Sequence, residues 1–213
     1  MARITKSPLG AFYGKVGNIV GSRWRSIDYI RSMPTRRKRY APSEAQLAQA
    51  TKFKMASAFC KPIRQFLNIG FMDFAQKRMT AVNVAVRNLL ANAIFGEYPK
   101  YNVDESKVAL SDGPLHELID LKAEVAADKT IILSWKNRAD ATDEEKRSEV
   151  YGMRLYDKNR QFLMLDKQKA NVTEVKFTDP LLETEGTIHV WLFRFDPKTR
   201  MTSPSQYLKV QLT

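Results

Sequence analysis

The amino-acid sequence predicts an α+β protein, and three observations predict it. The apolar period changes from 3.6 to 2 near residue 100. About seven short runs rich in Val, Ile, Leu, Phe and Tyr then follow, separated by turn formers. Ahead of both, the first forty residues hold ten Lys/Arg against the single acid Asp28. The elements follow in three regions: residues 1–42 as a basic, glycine-rich extended arm or β-hairpin, 43–100 as a small helical hairpin, and 101–213 as an antiparallel β-sandwich.

In the first region Pro8, Gly10, Gly14, Gly17, Gly21 and Pro34 argue against a helix, since each interior glycine costs about 1 kcal/mol relative to alanine. Partial alternation sets Val16, Val20 and Trp24 on one parity and Ile19, Ile27 and Tyr29 on the other. An extended ribbon fits, and a two-stranded ribbon needs a surface to lean on. In the second region, "APSEAQLAQATKFKMASAF" opens on Ser43 with Gln46 three residues on, the spacing of a capping box. Leu47, Thr51, Met55, Ala58 and Phe59 make its helical stripe, which runs out before Pro62. A second helix is predicted over "TAVNVAVRNLLANAIF", capped by Thr80 and stopped by Gly96. "PIRQFLNIGFMDFAQKRM" forms a bent, partly helical connector between them.

In the third region the strands are "HELIDLKAEV", "KTIILSWK", "EVYGMRLYD", "RQFLMLDKQ", "NVTEVKFTD", "TIHVWLFRF" and "SQYLKVQL". Trp135, Tyr151 and Tyr156 are expected as inner anchors of the sandwich, and Val108 and Leu110 as an added strand. The rhythm and the early tryptophan resemble a fibronectin type III module, an immunoglobulin-like sandwich. The acidic stretches "DATDEEKRSE" and "DPLLETEGT" read as solvated loops.

Motifs for chemistry are scarce. "GAFYGKVG" puts three residues between Gly10 and Gly14 and follows Lys15 with Val16, which fails the phosphate-loop spacing. The two G-x-x-x-G pairs have no apolar helix to act in. His116 and His189 lie in no metal-ligand pattern, and Cys60, between apolar neighbours, reads as a buried small hydrophobe. No catalytic residue, metal or cofactor is predicted, and no small-molecule substrate. The expectation is a protein that is not an enzyme. Neither a signal peptide nor an apolar run long enough for a membrane span stands out, so the cytoplasm, or a particle assembled there, is the expected location.

The charge is what points to function. The net charge of +12 is carried by the N-terminal half: +9 over residues 1–40, +5 over 41–100 and −2 over 101–213. Such asymmetry points to a polyanionic or complementary partner. The candidate binding residues are Lys15, Arg23, Trp24, Arg25, Tyr29, Arg31, Arg36, Arg37, Lys38 and Arg39. Cations can follow a phosphate backbone while aromatic rings stack on bases. The leading expectation is a structural or assembly protein that self-associates or joins a multi-subunit, phage-like particle, its arm docking on a neighbouring subunit or a nucleic acid. The alternative is a sequence-tolerant DNA- or RNA-binding protein.

The stretches "GAFYGKVGNIVGSRWRSIDYIRSMPT", "SEAQLAQATKF", "FLNIGF" and "NLLANAIFGEYPKYNVDESKVALSDGPL" also resemble a family of uncharacterised Bacteroidota proteins known only as a domain of unknown function. The likeness lies in a G-x-x-x-G-K-V-G-x-x-V-G start, then Trp24, Tyr29, Arg31 and Pro34, then Ala45 to Gln49. Ser26 stands where a glycine is usual in that pattern. The resemblance implies a shared architecture and transfers no site residues.

Overall fold

The computed structural model describes residues 2–3, 13–24, 27–35, 41–75, 79–126, 130–156, 160–169, 172–178 and 186–212. The protein is α+β, with mostly antiparallel strands in several sheets. It divides into two compact units, Met1–Pro42 and Ser43–Thr213.

The first unit is a four-stranded antiparallel sheet rather than a lone arm or hairpin. Its strands are β1 (Ala2–Arg3), β2 (Gly14–Val16), β3 (Ile19–Trp24) and β4 (Ile27–Ser32), in the order β1-β4-β3-β2. The β2–β3 turn is Gly17–Asn18, and Gly17 has φ +57, the conformation that a two-residue hairpin assigns to glycine.

The second unit begins with α1 (Glu44–Cys60), where the predicted box forms. The Ser43 hydroxyl accepts from the Gln46 amide at 3.4 Å, and the Ser43 amide donates to the Gln46 side chain at 3.0 Å. Of the predicted stripe Phe59 is buried, with Ala56 and Cys60 beside it, while Leu47 stays 40% exposed. The connector folds as α2 (Arg64–Gly70) and α3 (Met72–Ala75), and α4 (Ala81–Asn88) is capped by the Thr80 hydroxyl as expected. Gly96 does not stop that helix. The chain widens into a π-turn over Leu89–Ala93, and the Asp104 amide takes the Ala93 carbonyl at 2.8 Å. A hairpin then begins, β5 (Ile94–Glu97) with β6 (Lys100–Val103), and Gly96 lies within it. Val108 and Leu110 form no strand; both are buried in the core beside the helices.

The seven predicted strands are all present. They are β7 (Ile119–Val125), β8 (Thr130–Lys136), β9 (Glu149–Tyr156), β10 (Gln161–Lys169), β11 (Glu174–Thr178), β12 (Gly186–Phe195) and β13 (Gln206–Leu212). They divide into a three-stranded sheet, β11-β8-β7, and a four-stranded sheet, β10-β9-β12-β13. Strand β12 is buried from Ile188 to Phe195, His189 and Arg194 included, because both its faces are covered. Ile188, Val190 and Leu192 share a cluster with Ile131, Leu133 and Trp135 of β8. Trp191, Phe193 and Phe195 join the helices' cluster with Phe59, Phe66 and Leu67. The helical and strand-rich stretches therefore share one core. Tyr156 of β9 and Trp135 of β8 lie in the cluster that the two sheets share, whereas Tyr151 lies on the helical side, stacked on Phe193 with centroids 5.8 Å apart.

The acidic stretch before β9 holds a short helix, α5 (Asp143–Arg147), closed by a Thr142/Glu145 capping box that buries Glu145. It brings Arg147 to the turn after β12, where Asp196 is buried. Burial alone would push the Asp196 carboxyl up. The Lys198 amide at 3.0 Å, the Thr199 hydroxyl at 2.8 Å and the Arg147 guanidinium at 3.5 Å outweigh it and hold the group below the ordinary carboxylate range. Asp196→Asn should therefore cost about 2 kcal/mol at neutral pH. The unfolded carboxyl titrates near about pH 3.9, so the gap should hold above that value and close as acid protonates the folded group. Urea midpoints of both proteins against pH check this, and a gap that widens on acidification overturns the assignment.

Candidate binding surface

In an antiparallel sheet, directly opposed residues share a face. The register sets Lys15 opposite Val20 and Val20 opposite Arg31, so Lys15 and Arg31 flank one residue on neighbouring strands. Two strand spacings place their backbones about 10 Å apart. The next rows on this face are Ser22 opposite Tyr29 and Trp24 opposite Ile27. Lys15, Tyr29, Arg31 and Trp24 thus come together on one face, the last 42% exposed.

Arg23 stands on the other face. Its Nε lies 3.5 Å from Asp28 Oδ1, its Nη1 donates to the Tyr13 hydroxyl at 3.2 Å, and that hydroxyl donates to Asp28 at 3.0 Å. Asp28 is the one acid of the first forty residues, and it is spent on this contact. The same face carries Val16, 66% exposed, and Ile19, 47% exposed. The parity read from the sequence differs at two points. The two-residue turn at Gly17–Asn18 puts Val16 and Ile19 together, and the β3–β4 connection puts Ile27 and Tyr29 with Val20 and Trp24. Arg25, Arg36, Arg37, Lys38 and Arg39 lie outside the described residues.

The arrangement offers two chemistries. The Lys15/Arg31 row, with Tyr29 and Trp24 beyond it, can take phosphate on its cations and a flat ring on its aromatics. The Val16/Ile19 face can take apolar surface. No residue pattern in the sequence singled out Val16 and Ile19 as a pair; the signal was the short Gly-Asn turn, which fixes their register.

The profile of the family of unknown function DUF6266 matches residues 11–163. The chain belongs to that family. The DUF6266 match takes in β2 to β4 and all the helices and ends inside β10. No curated protein matches the chain.

Elsewhere in this DUF6266 chain, Cys60 and His189 are in structural use. Cys60 is buried, and loss of hydration pushes its thiol up to about 12, which leaves it protonated and unreactive at neutral pH. His189 Nδ1 is hydrogen-bonded to the Tyr207 hydroxyl at 2.7 Å on the helical side of β12. Among the described residues no three His, Cys, Asp or Glu side chains are grouped to hold a metal, and no helix is long and apolar enough to cross a membrane.

Proposed function

We propose that this DUF6266 protein is a non-catalytic structural or assembly protein that docks through its N-terminal sheet on a neighbouring subunit. The supporting observation is the unsatisfied apolar face: Val16 and Ile19, side by side, are exposed on a sheet that forms a unit of its own. Among the described residues β2 is also an edge strand, with backbone donors and acceptors on offer to an incoming strand. The rest of the chain would serve as the body that is positioned. We read its two sheets as a fibronectin type III-like sandwich. The first, second and fifth of the seven strands pair in one sheet, the others in the second, and the two share a core around Trp135. Such a protein would be made in the cytoplasm and act there or within a particle.

A second reading, a sequence-tolerant DNA- or RNA-binding protein, is favoured by the grouping of Lys15, Arg31, Tyr29 and Trp24 on one face.

Light-scattering mass with the 260/280 nm ratio separates the two. The assembly reading expects a nucleic-acid-free oligomer that Val16→Asp with Ile19→Asp converts to monomer, and that Lys15→Gln with Arg31→Gln leaves intact. The other reading expects a monomer carrying nucleic acid. The log–log salt slope of its affinity should then fall by about two in the Lys15→Gln, Arg31→Gln variant. A clean monomer sinks both.

A further inference from the structure

The second unit contains an open cleft of about 510 Å³, within the size range of small-molecule sites. One wall is the face of α1 that the sequence marks as apolar and the core does not use, including Thr51, Met55 and Ala58. Phe59 and Phe162, packed edge to face with centroids 5.1 Å apart, join Pro62, Tyr101 and Val103 in the rest of the apolar lining. Two cationic side chains stand in this mainly apolar lining, which also holds Thr51 and Asn102: Lys54 on α1 and Arg160 ahead of β10. Arg160 is held at φ +50, a conformation rare for a residue with a side chain, and its Nη2 donates to Glu105 at 3.2 Å. A guanidinium has five donors, so this contact fixes its direction without exhausting it.

We infer that the cleft binds a single-chain amphiphile with an anionic head, an aliphatic carboxylate, its tail along Met55, Phe59, Val103 and Phe162 and its head between Lys54 and Arg160. Charge complementarity selects this occupant. An aliphatic cation would meet the Lys54 ammonium and a guanidinium already paired with the Glu105 carboxylate, and the basic N-terminal residues of a second copy would meet the same two. A neutral chain would leave the Lys54 ammonium unused. No residue pattern pointed to a small-molecule partner, because an apolar stripe on a helix is ordinarily spent on the core. The site is separate from the N-terminal sheet, so its failure leaves the docking reading untouched.

The test is calorimetric titration of the full chain with laurate, dodecanol and dodecyltrimethylammonium, which share a tail and differ in head charge. Laurate should bind with one site per chain, and the cation about tenfold more weakly or not at all. Lys54→Glu should weaken laurate by about tenfold and erase its advantage over the cation. Ala58→Trp should abolish binding by filling the cleft. Thr51→Trp, also on the solvent side of α1, repeats that test should the first variant melt early. Equal affinity for all three heads, laurate binding that survives both tryptophan variants, or no laurate binding overturns the inference.

Discussion

Phe66→Ala and Phe193→Ala should each cost about 3–5 kcal/mol, and each should do so in one cooperative transition of the whole second unit. Both rings are fully buried, and they meet edge to face with centroids 5.0 Å apart. One comes from α2 and the other from β12, so the contact joins the stretch that reads as helical to the stretch that reads as strand-rich. Truncating either ring removes its transfer free energy and opens a cavity under a neighbour that cannot collapse onto it. The pair should also couple. A double-mutant cycle with the milder Phe66→Leu should return about 1 kcal/mol, the increment an aromatic pair adds beyond area burial. Urea unfolding followed by near-ultraviolet circular dichroism and by far-ultraviolet helicity checks this. If helicity is lost in Phe66→Ala while the sheet signal keeps its wild-type midpoint, the common core is refuted.

The strands of the second unit were legible because each is an alternating or wholly apolar run bounded by turn formers. The layer each residue faces was not. Period 2 sets Tyr151 and Tyr156, five positions apart, on opposite faces of β9, but in β9 and β12 both faces are buried, so the pattern does not say which layer covers which face. The short helix α5 hid within an acid-rich string, although Thr142 and Glu145 have the spacing of a capping box. At the N-terminus the residue types of the candidate surface were readable, and their grouping was not. Lys15 and Arg31 are sixteen positions apart, and only the β2–β3–β4 register sets them on either side of Val20. Arg23 reads like its basic neighbours, yet its parity within β3 delivers it to Asp28 and Tyr13 on the other face. The cleft was hidden for a related reason: α1 carries two adjacent apolar stripes, and nothing local says which of them the sheet will cover.

Gly70→Ala should lower the stability of the second unit by about 3 kcal/mol, a fall in Tm of about 6–12 °C. Alanine is ordinarily the better helix residue, so propensity alone predicts the opposite sign. What decides the matter is a backbone crossing. Gly70 closes α2 against residues 110–112, and a methyl group there would stand 2.1 Å from the Leu110 carbonyl oxygen and 3.0 Å from Ser111 Cβ. The crossing segment has nowhere to go. Its Asp112 amide donates to the Gly70 carbonyl at 3.2 Å. On the other side the Leu110 amide donates to the Ser205 hydroxyl at 2.9 Å, and the Ser111 hydroxyl donates to the Ser203 carbonyl at 2.7 Å. Making room for one methyl means shifting a segment pinned to the approach of β13, or unwinding the last turn of α2 and exposing Leu67 and Phe71, both fully buried. Either route loses hydrogen bonds or core contacts that the added methyl cannot replace. Differential scanning calorimetry of the two proteins settles the sign, and a Tm at or above the wild-type value would mean that α2 and the 110–112 segment are not packed this closely.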